Sequence, residues 1–148
     1  NIFVAEFIGA PKMNMIDTEL VKEGDQYFVK PFGAKIEVTG DKKDELAQKG
    51  IASRQIKLGV RPEHMVLAQQ GGEGTIPCKL EVNEMMGSEL HLHVYTEDGT
   101  RLIVRVPTIN LTMEQRNSLV YGAQLYITFE GKVMHFFDKE SELNLIYG

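Results

Sequence analysis

The closest approach of this sequence to a metal site is a stretch in which polar residues alternate with apolar ones. The polar members are Glu89, His91, His93 and Tyr95. In an extended strand all four lie on one face. Zinc accepts two histidines but needs three or four ligands, and the sequence indicates no third one. We therefore expect no metal here, and the face is either solvated or contacts a partner.

The motifs of nucleotide hydrolysis and of acyl transfer are missing from the sequence. A phosphate-binding loop has the pattern G-x-x-x-x-G-K-[ST], whereas the one Gly-Lys pair, Gly131-Lys132, is followed by Val133. Neither G-x-S-x-G nor H-E-x-x-H occurs. The only cysteine, Cys78, lies at an apolar position of a predicted strand, where a thiol is a poor nucleophile. We predict no catalytic residue and no bound cofactor in this chain.

Two groups of carboxylates have the spacing of an acid/base pair. They are Glu81 with Glu84, and Glu140 with Glu142. General acid/base chemistry needs a carboxyl group whose pKa is shifted by burial or by a neighbouring charge. Both groups lie in polar stretches that offer no apolar surroundings. We interpret them as solvated edges of the molecule.

The composition is that of a globular protein without nucleic-acid or membrane character. The 148 residues are 43% hydrophobic and 25% charged, with a net charge of −5. This length buries a core without disulfide or metal support, and binding of phosphates needs a concentrated basic surface. A weak alternative is a single-strand nucleic-acid surface with aromatic platforms and nearby lysines. Its residues would be Tyr27, Phe28, Phe32, Lys30 and Lys35.

The cysteine content indicates a compartment, and the first residue indicates a longer natural chain. A single cysteine forms no internal disulfide, which favours a reducing, cytoplasmic compartment. The chain starts with Asn1 rather than Met, and its first residues do not have the basic and then apolar pattern of a leader peptide. We expect that the natural protein continues upstream.

Short extended runs separated by Gly, Asp and Lys predict that strands dominate the fold. Nine strands are predicted, at residues 13–21, 26–29, 35–38, 54–61, 75–86, 89–96, 101–106, 124–129 and 133–137. Asp98-Gly99 stands between two of them. This pair predicts a hairpin with a two-residue turn in which both residues have positive φ.

Helices are predicted to be few and short. Residues 3–8 have i, i+4 apolar spacing, and residues 44–49 are followed by Gly50. Thr112 and Gln115 have the spacing of a capping box. The pattern therefore predicts an all-β fold of one or two small OB-like barrels with connecting helices. The glycine-rich residues 69–74 are the predicted seam between two interleaved subregions.

Four segments of the chain resemble motifs of a known protein family and occur in the same order as in that family. Leu-Gly-Val-Arg-Pro-Glu-His at residues 58–64 resembles the L-G-[IV]-R-P-E-H signature in the C-terminal regulatory domain of ATPase subunits from carbohydrate-type ABC importers, such as the maltose and multiple-sugar transporters. Residues 1–14 resemble the N-x-F-V-A-x-F-I-G-x-P-x-M-N junction that leaves the nucleotide-binding domain. Residues 82–89 resemble the V-E-x-x-G-S-E turn, with Asn83 where an acidic residue is more usual, and residues 136–138 resemble the closing L-F-D.

The resemblance implies a regulatory and dimerisation domain of TOBE or OB type, at residues 15–148, after a linker ending at residue 14. ATP and Mg²⁺ are then expected in the upstream domain, and no cofactor in this chain. The implied partners are a second copy, the membrane subunits of the importer and a regulatory protein, with no nucleic acid, at the inner face of the membrane. The candidate interface residues are Arg61, Glu63, His64, Gly87, Ser88, Glu89, Phe137 and Asp138.

Two questions stay open at this point. Pro62 has a fixed φ and no N–H, so it predicts a rigid corner that aims Arg61 and Glu63 to opposite sides. This corner either forms an internal ion pair or contacts a partner. Related TOBE barrels bind oxyanions such as molybdate, for which Gly87-Ser88 or Lys35 would supply donors.

Overall fold

A computed structural model describes residues 12–147, and in them β-strands dominate. The strands are β1 (Asn14–Glu23), β2 (Gln26–Val29), β3 (Ile36–Glu37), β4 (Arg54–Val60), β5 (Val66–Ala68), β6 (Ile76–Met86), β7 (Glu89–Thr96), β8 (Arg101–Pro107), β9 (Gln124–Thr128) and β10 (His135–Asp138). The helices are α1 (Gly40–Gln48) and α2 (Met113–Ser118). The helix predicted at residues 3–8 lies outside the described residues.

The strands form two five-stranded sheets in which every pairing is antiparallel. The first sheet has the order β10-β4-β1-β2-β3, and the second has the order β5-β9-β6-β7-β8. The chain completes the second sheet before β10 returns to pair with β4 of the first. The mainly β, OB-like class predicted from the sequence is confirmed.

Alternation of apolar residues places the inner faces of both sheets in one core. In β7 the side chains of Leu90, Leu92 and Val94 are at most 4% exposed, while the residues between them are half-buried. Cys78 of β6 belongs to the same core, as predicted, and burial raises the pKa of its thiol to about 12. A thiol in this state is not a nucleophile at neutral pH.

The hairpin between β7 and β8 forms as predicted, but its turn is of another kind. The N–H of Thr96 donates to the oxygen of Thr100 (2.9 Å), so three residues form the loop, and Gly99 has φ 87° whereas Asp98 has no positive φ. The Asp98 carboxylate accepts from the hydroxyl of Thr96 (2.5 Å) and from the N–H of Thr100 (3.1 Å). These hydrogen bonds stabilise the longer loop, which the dipeptide pattern alone does not reveal.

One strand was not predicted. β5 has three residues, and Val66 is 45% exposed, so no alternation marks it. It pairs with β9 in the second sheet. Residues 69–74 therefore connect two strands of the same sheet, whereas the chain passes from the first sheet to the second at residues 61–65.

A buried amide joins the two sheets. Asn14, the first residue of β1, is 3% exposed. Its Oδ1 accepts from the N–H of Ile103 (2.8 Å), and its Nδ2 donates to the carbonyl of Ile103 (2.9 Å). Ile103 belongs to β8, the edge strand of the second sheet. The side chain thus satisfies the backbone groups that a further strand would otherwise pair.

We predict that Asn14→Leu destabilises the protein by about 2–4 kcal/mol, because each buried backbone group left without a partner costs about 1–3 kcal/mol. Urea unfolding measures the free energy of unfolding. Glu19→Gln, on the exposed face of the same strand, is the control and should change it little. A loss no larger than that of the control would show that the amide does not hold the sheets together.

Candidate functional site

Two of the family-like segments meet at one arginine. Arg105 of β8 donates through Nη2 (2.7 Å) and Nε (3.2 Å) to Glu89 Oε1, and its Nη1 lies 3.7 Å from Glu63 Oε1. Glu63 comes from the segment at residues 58–64, and Glu89 comes from the turn at residues 82–89. Glu89 accordingly has a lowered pKa, chiefly because of the hydrogen bond from Arg105. No sequence motif marks Arg105 itself.

The residues around Pro62 have different surroundings. Pro62 is buried in a short 3-10 turn, and the N–H of His64 donates to the carbonyl of Arg61 (2.9 Å). Glu63 contacts Arg105 within the chain, whereas the side chains of Arg61 and His64 are exposed. Of the two alternatives for this corner, the internal ion pair therefore applies to Glu63, whereas contact with a partner remains an alternative for Arg61 and His64.

The polar face of β7 is confirmed, and carboxylates from neighbouring positions occupy it. His93 Nε2 lies 2.5 Å from Glu84 Oε1 of β6. His91 Nε2 lies 3.6 Å from Glu89 Oε1. Within residues 12–147, no group of three histidine, cysteine or acidic side chains has a geometry that would hold a metal ion. Of the carboxylates considered for acid/base work, Glu81 also pairs with a cation, Arg101.

The residues considered for an oxyanion site are not brought together. Gly87 (φ 65°) and Ser88 form the exposed tip between β6 and β7, where the carbonyl of Ser88 accepts from the N–H (2.9 Å) and hydroxyl (3.0 Å) of Thr108. Lys35 lies beside the first sheet. It pairs with Glu23 (2.8 Å) and covers the ring of Phe28, with its Nζ 4.3 Å from the ring centre.

The aromatic platform considered for nucleic acid is not formed by Tyr27. Its side chain is fully buried, and its hydroxyl donates to the carbonyl of Ile51 (2.7 Å). Tyr27 therefore cannot serve as a stacking platform in the weak nucleic-acid alternative, because the sequence alone does not tell which side of this strand faces the core.

Phe137 and Asp138 lie in β10, at the edge of the first sheet. A Cβ on Gly59 of the neighbouring β4 would come within 2.9 Å of the Phe137 ring, so the glycine leaves room for this side chain. Asp138 pairs with Arg54 and also accepts from the N–H groups of Glu140 (3.1 Å) and Ser141 (2.8 Å). Hydrogen bonds from Ser141, followed by that from Arg54, lower the pKa of Asp138 to about 2.

The candidate residues thus fall into two groups. Glu63 and Glu89 converge on Arg105 beside the hairpin tip. Arg61 and His64 lie on the side of β10. Burial lowers the pKa of His135 in that strand, and the nearby charges of Lys42, Arg61 and His64 lower it further. Neither helix within residues 12–147 has the length and apolar character needed to cross a bilayer.

We predict that Arg105→Gln raises the pKa of Glu89 toward its ordinary value, because the main hydrogen bond to the carboxylate is lost. A carboxyl group with a lowered folded-state pKa contributes stability above its unfolded pKa, and that contribution disappears as the pH falls through the folded pKa. The variant should therefore be less stable at neutral pH and approach the parent at low pH. NMR titration of the carboxyl carbons measures the pKa, with Arg101→Gln as the control. An unchanged Glu89 pKa would contradict this assignment.

We predict that Asp138→Asn removes a stabilising contribution that the parent loses only at strongly acidic pH. The pKa of Asp138 is about 2 instead of the ordinary 3.8, so the contribution is complete above about pH 4 and fades as the pH falls toward 2. Urea unfolding between pH 2 and pH 7 should show a stability gap that closes at the acidic end. Glu140→Gln, an exposed neighbour, should show no such gap; a gap of constant size for Asp138→Asn would refute the titration.

Comparison with known families gives two matches that together span most of the chain. The MalK OB fold domain matches residues 9–65, and the TOBE domain matches residues 58–137. The overlap contains the Arg61–Pro62–Glu63 corner. In the structural comparison, the molybdate-binding protein ModG, crystallised with molybdate bound, has a TM-score of 0.62 at 12% identity, covering 86% of this chain and 95% of ModG. That likeness concerns the fold.

Relatives in sequence cover nearly the whole chain. An ABC transporter ATP-binding protein of Bacillus subtilis, YurJ, is 34% identical over 96% of this chain and 37% of its own length. The sn-glycerol-3-phosphate import ATP-binding protein UgpC of Salmonella typhimurium is 33% identical over 94% of this chain and 35% of its own length. The oligosaccharides import ATP-binding protein MsmX of Bacillus subtilis is 28% identical over 98% and 38%. The chain spans little more than a third of these relatives, and it belongs to the family of MalK-type OB fold and TOBE domains.

Proposed function

We propose that this chain is the regulatory and dimerisation domain of the ATP-binding subunit of a carbohydrate-type ABC importer. One observation carries the proposal: the chain matches almost end to end a portion, 35–38% in length, of proteins named as import or transporter ATP-binding proteins. The chain's own sequence holds no phosphate-binding loop. Its part in such a subunit is then accessory to ATP hydrolysis.

The parent protein, in this proposal, binds ATP and Mg²⁺ in a nucleotide-binding domain that precedes residues 1–14. Residues 15–148 form the regulatory domain. The subunit works at the cytoplasmic face of the membrane with the membrane subunits of the importer, and a regulatory protein is a further partner. The likeness to ModG concerns the fold alone, so oxyanion sensing is not part of the proposal.

The mechanism would be a physical coupling of two subunits. Two nucleotide-binding domains must close around ATP and open again in each cycle. If their regulatory domains stay associated, the second domain is held at a high effective concentration, and closure becomes a nearly intramolecular step. A rigid β domain suits this role because its position relative to its partner is retained while the other domains move.

The exposed members of the candidate set are the groups available for such an association. Arg61 and His64 flank the buried Pro62, while Gly87 and Ser88 form the hairpin tip. Both groups stand on locally rigid structure. The proline fixes the first, and two hydrogen bonds from Thr108 hold the second. Rigid presentation of polar groups lowers the entropy lost on association.

We predict that the chain forms a concentration-dependent dimer and that Arg61→Glu weakens it by about tenfold or more, as expected for loss and reversal of an interfacial charge. Light scattering over a concentration series measures the mass. Lys49→Glu makes the same charge change at an exposed position after α1 and should leave the dimer intact. A strict monomer up to about 1 mM would contradict dimerisation by this domain.

A further inference from the structure

Strand β6 changes its surroundings halfway along its length. Residues Ile76 to Lys79 pair with β9 on one side and, from Cys78 onward, with β7 on the other. Leu80 still exchanges hydrogen bonds with Ala123 (3.0 Å) and Gly122 (2.7 Å). A bulge then shifts the register, so that Leu80 stands opposite Val94 but Val82 stands opposite His93. Bulges commonly end a pairing or bend a strand away from its neighbour.

Beyond this bulge, one edge of β6 is open. Residues 82–86 pair with β7 alone, and within residues 12–147 their other edge makes no backbone–backbone hydrogen bond. The side chains there are largely apolar and exposed, with Val82 at 44%, Met85 at 55% and Met86 at 50%. An open apolar strand edge is a template for pairing with another chain.

The open edge continues into a groove beneath α2. Met85 stands opposite the buried Leu90 in the register, so it belongs to the inner face although it is exposed. The amide of Asn83 donates to the carbonyl of Leu119 (3.1 Å), which fixes the end of α2 beside β6. The groove between α2 and β6 has a volume of about 370 Å³. It is lined by Asn83, Met85, Leu90, Met113, Arg116 and Asn117.

The groove contains a cation without an internal partner. Arg54, Arg101 and Arg105 each contact a carboxylate. In the described part of the chain, Arg116 has no carboxylate within ion-pair distance, although it lines a groove whose other residues are apolar or neutral. A guanidinium in such a place matches a carboxylate, with which it forms two parallel hydrogen bonds.

We propose that this groove binds an extended segment of a partner protein, which adds as a strand beside residues 82–86 and brings an apolar side chain and a carboxylate. The open backbone groups supply main-chain hydrogen bonds, as in other cases of strand addition. Met85 and Met113 supply an adaptable apolar pocket. The positive charge of Arg116 favours a segment that carries an acidic residue. The proposal does not rest on the pairing of two ATPase subunits.

A second copy of this chain fits the edge less well. Antiparallel pairing of residues 82–86 with themselves about a two-fold axis would set Glu84 opposite Glu84, and like charges directly opposite each other destabilise a strand pair. In such a dimer each Glu84 would also remain in contact with His93 of its own chain, so neither carboxylate is a ready partner for Arg116. An acidic and apolar segment from another protein meets both requirements.

The experiment is an NMR titration of the ¹⁵N-labelled chain with capped seven-residue peptides. The first alternates valine and threonine around a central leucine and carries one aspartate, and the second carries lysine in place of aspartate. We expect the acidic peptide to shift the amides of residues 82–86 and 113–117. Arg116→Glu should weaken binding of the acidic peptide by about tenfold or more and should strengthen binding of the lysine peptide. Lys132→Glu, an exposed cation at another site, is the matched control.

Further variants keep the outcome unambiguous. Arg116→Gln removes the charge without placing an acid in the last turn of α2, and it should also weaken the acidic peptide. A peptide N-methylated on the edge that faces β6 should not bind, because strand pairing is blocked. Equal binding of both charged peptides, binding that survives N-methylation, or shifts elsewhere on the chain would overturn the proposal. Shifts of residues 82–86 that depend on protein concentration without peptide would overturn it in favour of a second copy.

Discussion

The side-chain amide of Asn14 stands beside Ile103 where the edge of the second sheet would otherwise have backbone groups without partners. Because both amide groups are used and the site is buried, the cost of losing the contact exceeds the small net gain of an ordinary hydrogen bond. The same contact sets where β1 and its neighbour β4 meet β8. The turn that follows β4 then lies beside β8, and this position allows Glu63 to reach Arg105. The polar network between the family-like segments therefore depends on how one amide positions the sheets.

The order of the strands reinforces this arrangement. β4 lies between β1, from the start of the described chain, and β10, from its end, so the first sheet is complete only after the second has been built. Gly59 of β4 permits the close approach of Phe137, and Asp138 then closes the terminal turn by accepting two backbone N–H groups. Contacts between residues so far apart in sequence are slow to form, because loop-closure entropy is lost before they contribute.

Local patterns predicted most of the fold and little of the site. Short runs of extended-type residues located nine of the ten strands, and they missed β5, whose three residues show no alternation. The capping box at Thr112 formed as predicted, with both reciprocal hydrogen bonds, because it involves residues three apart. Arg105 was missed because its contacts to Glu63 and Glu89 arise from the packing of separate elements. The same limit applies to Asn14, whose burial depends on a strand 89 residues away, and to Tyr27, whose face no alternation rule assigns.

The resemblance to a family and the geometry of the chain together separate residues that shape the domain from residues that are free to contact something else. In the segment at residues 58–64, Gly59 and Pro62 are buried and Glu63 is engaged by Arg105, so these three are explained by the frame itself. Arg61 and His64 belong to the same segment and are exposed. Because burial or an ion pair fixes the other residues of the segment, Arg61 and His64 are held at defined positions without using their own side-chain hydrogen-bonding groups. Such preorganised groups lose little entropy on association, which is what the proposed coupling of two ATP-binding subunits would require.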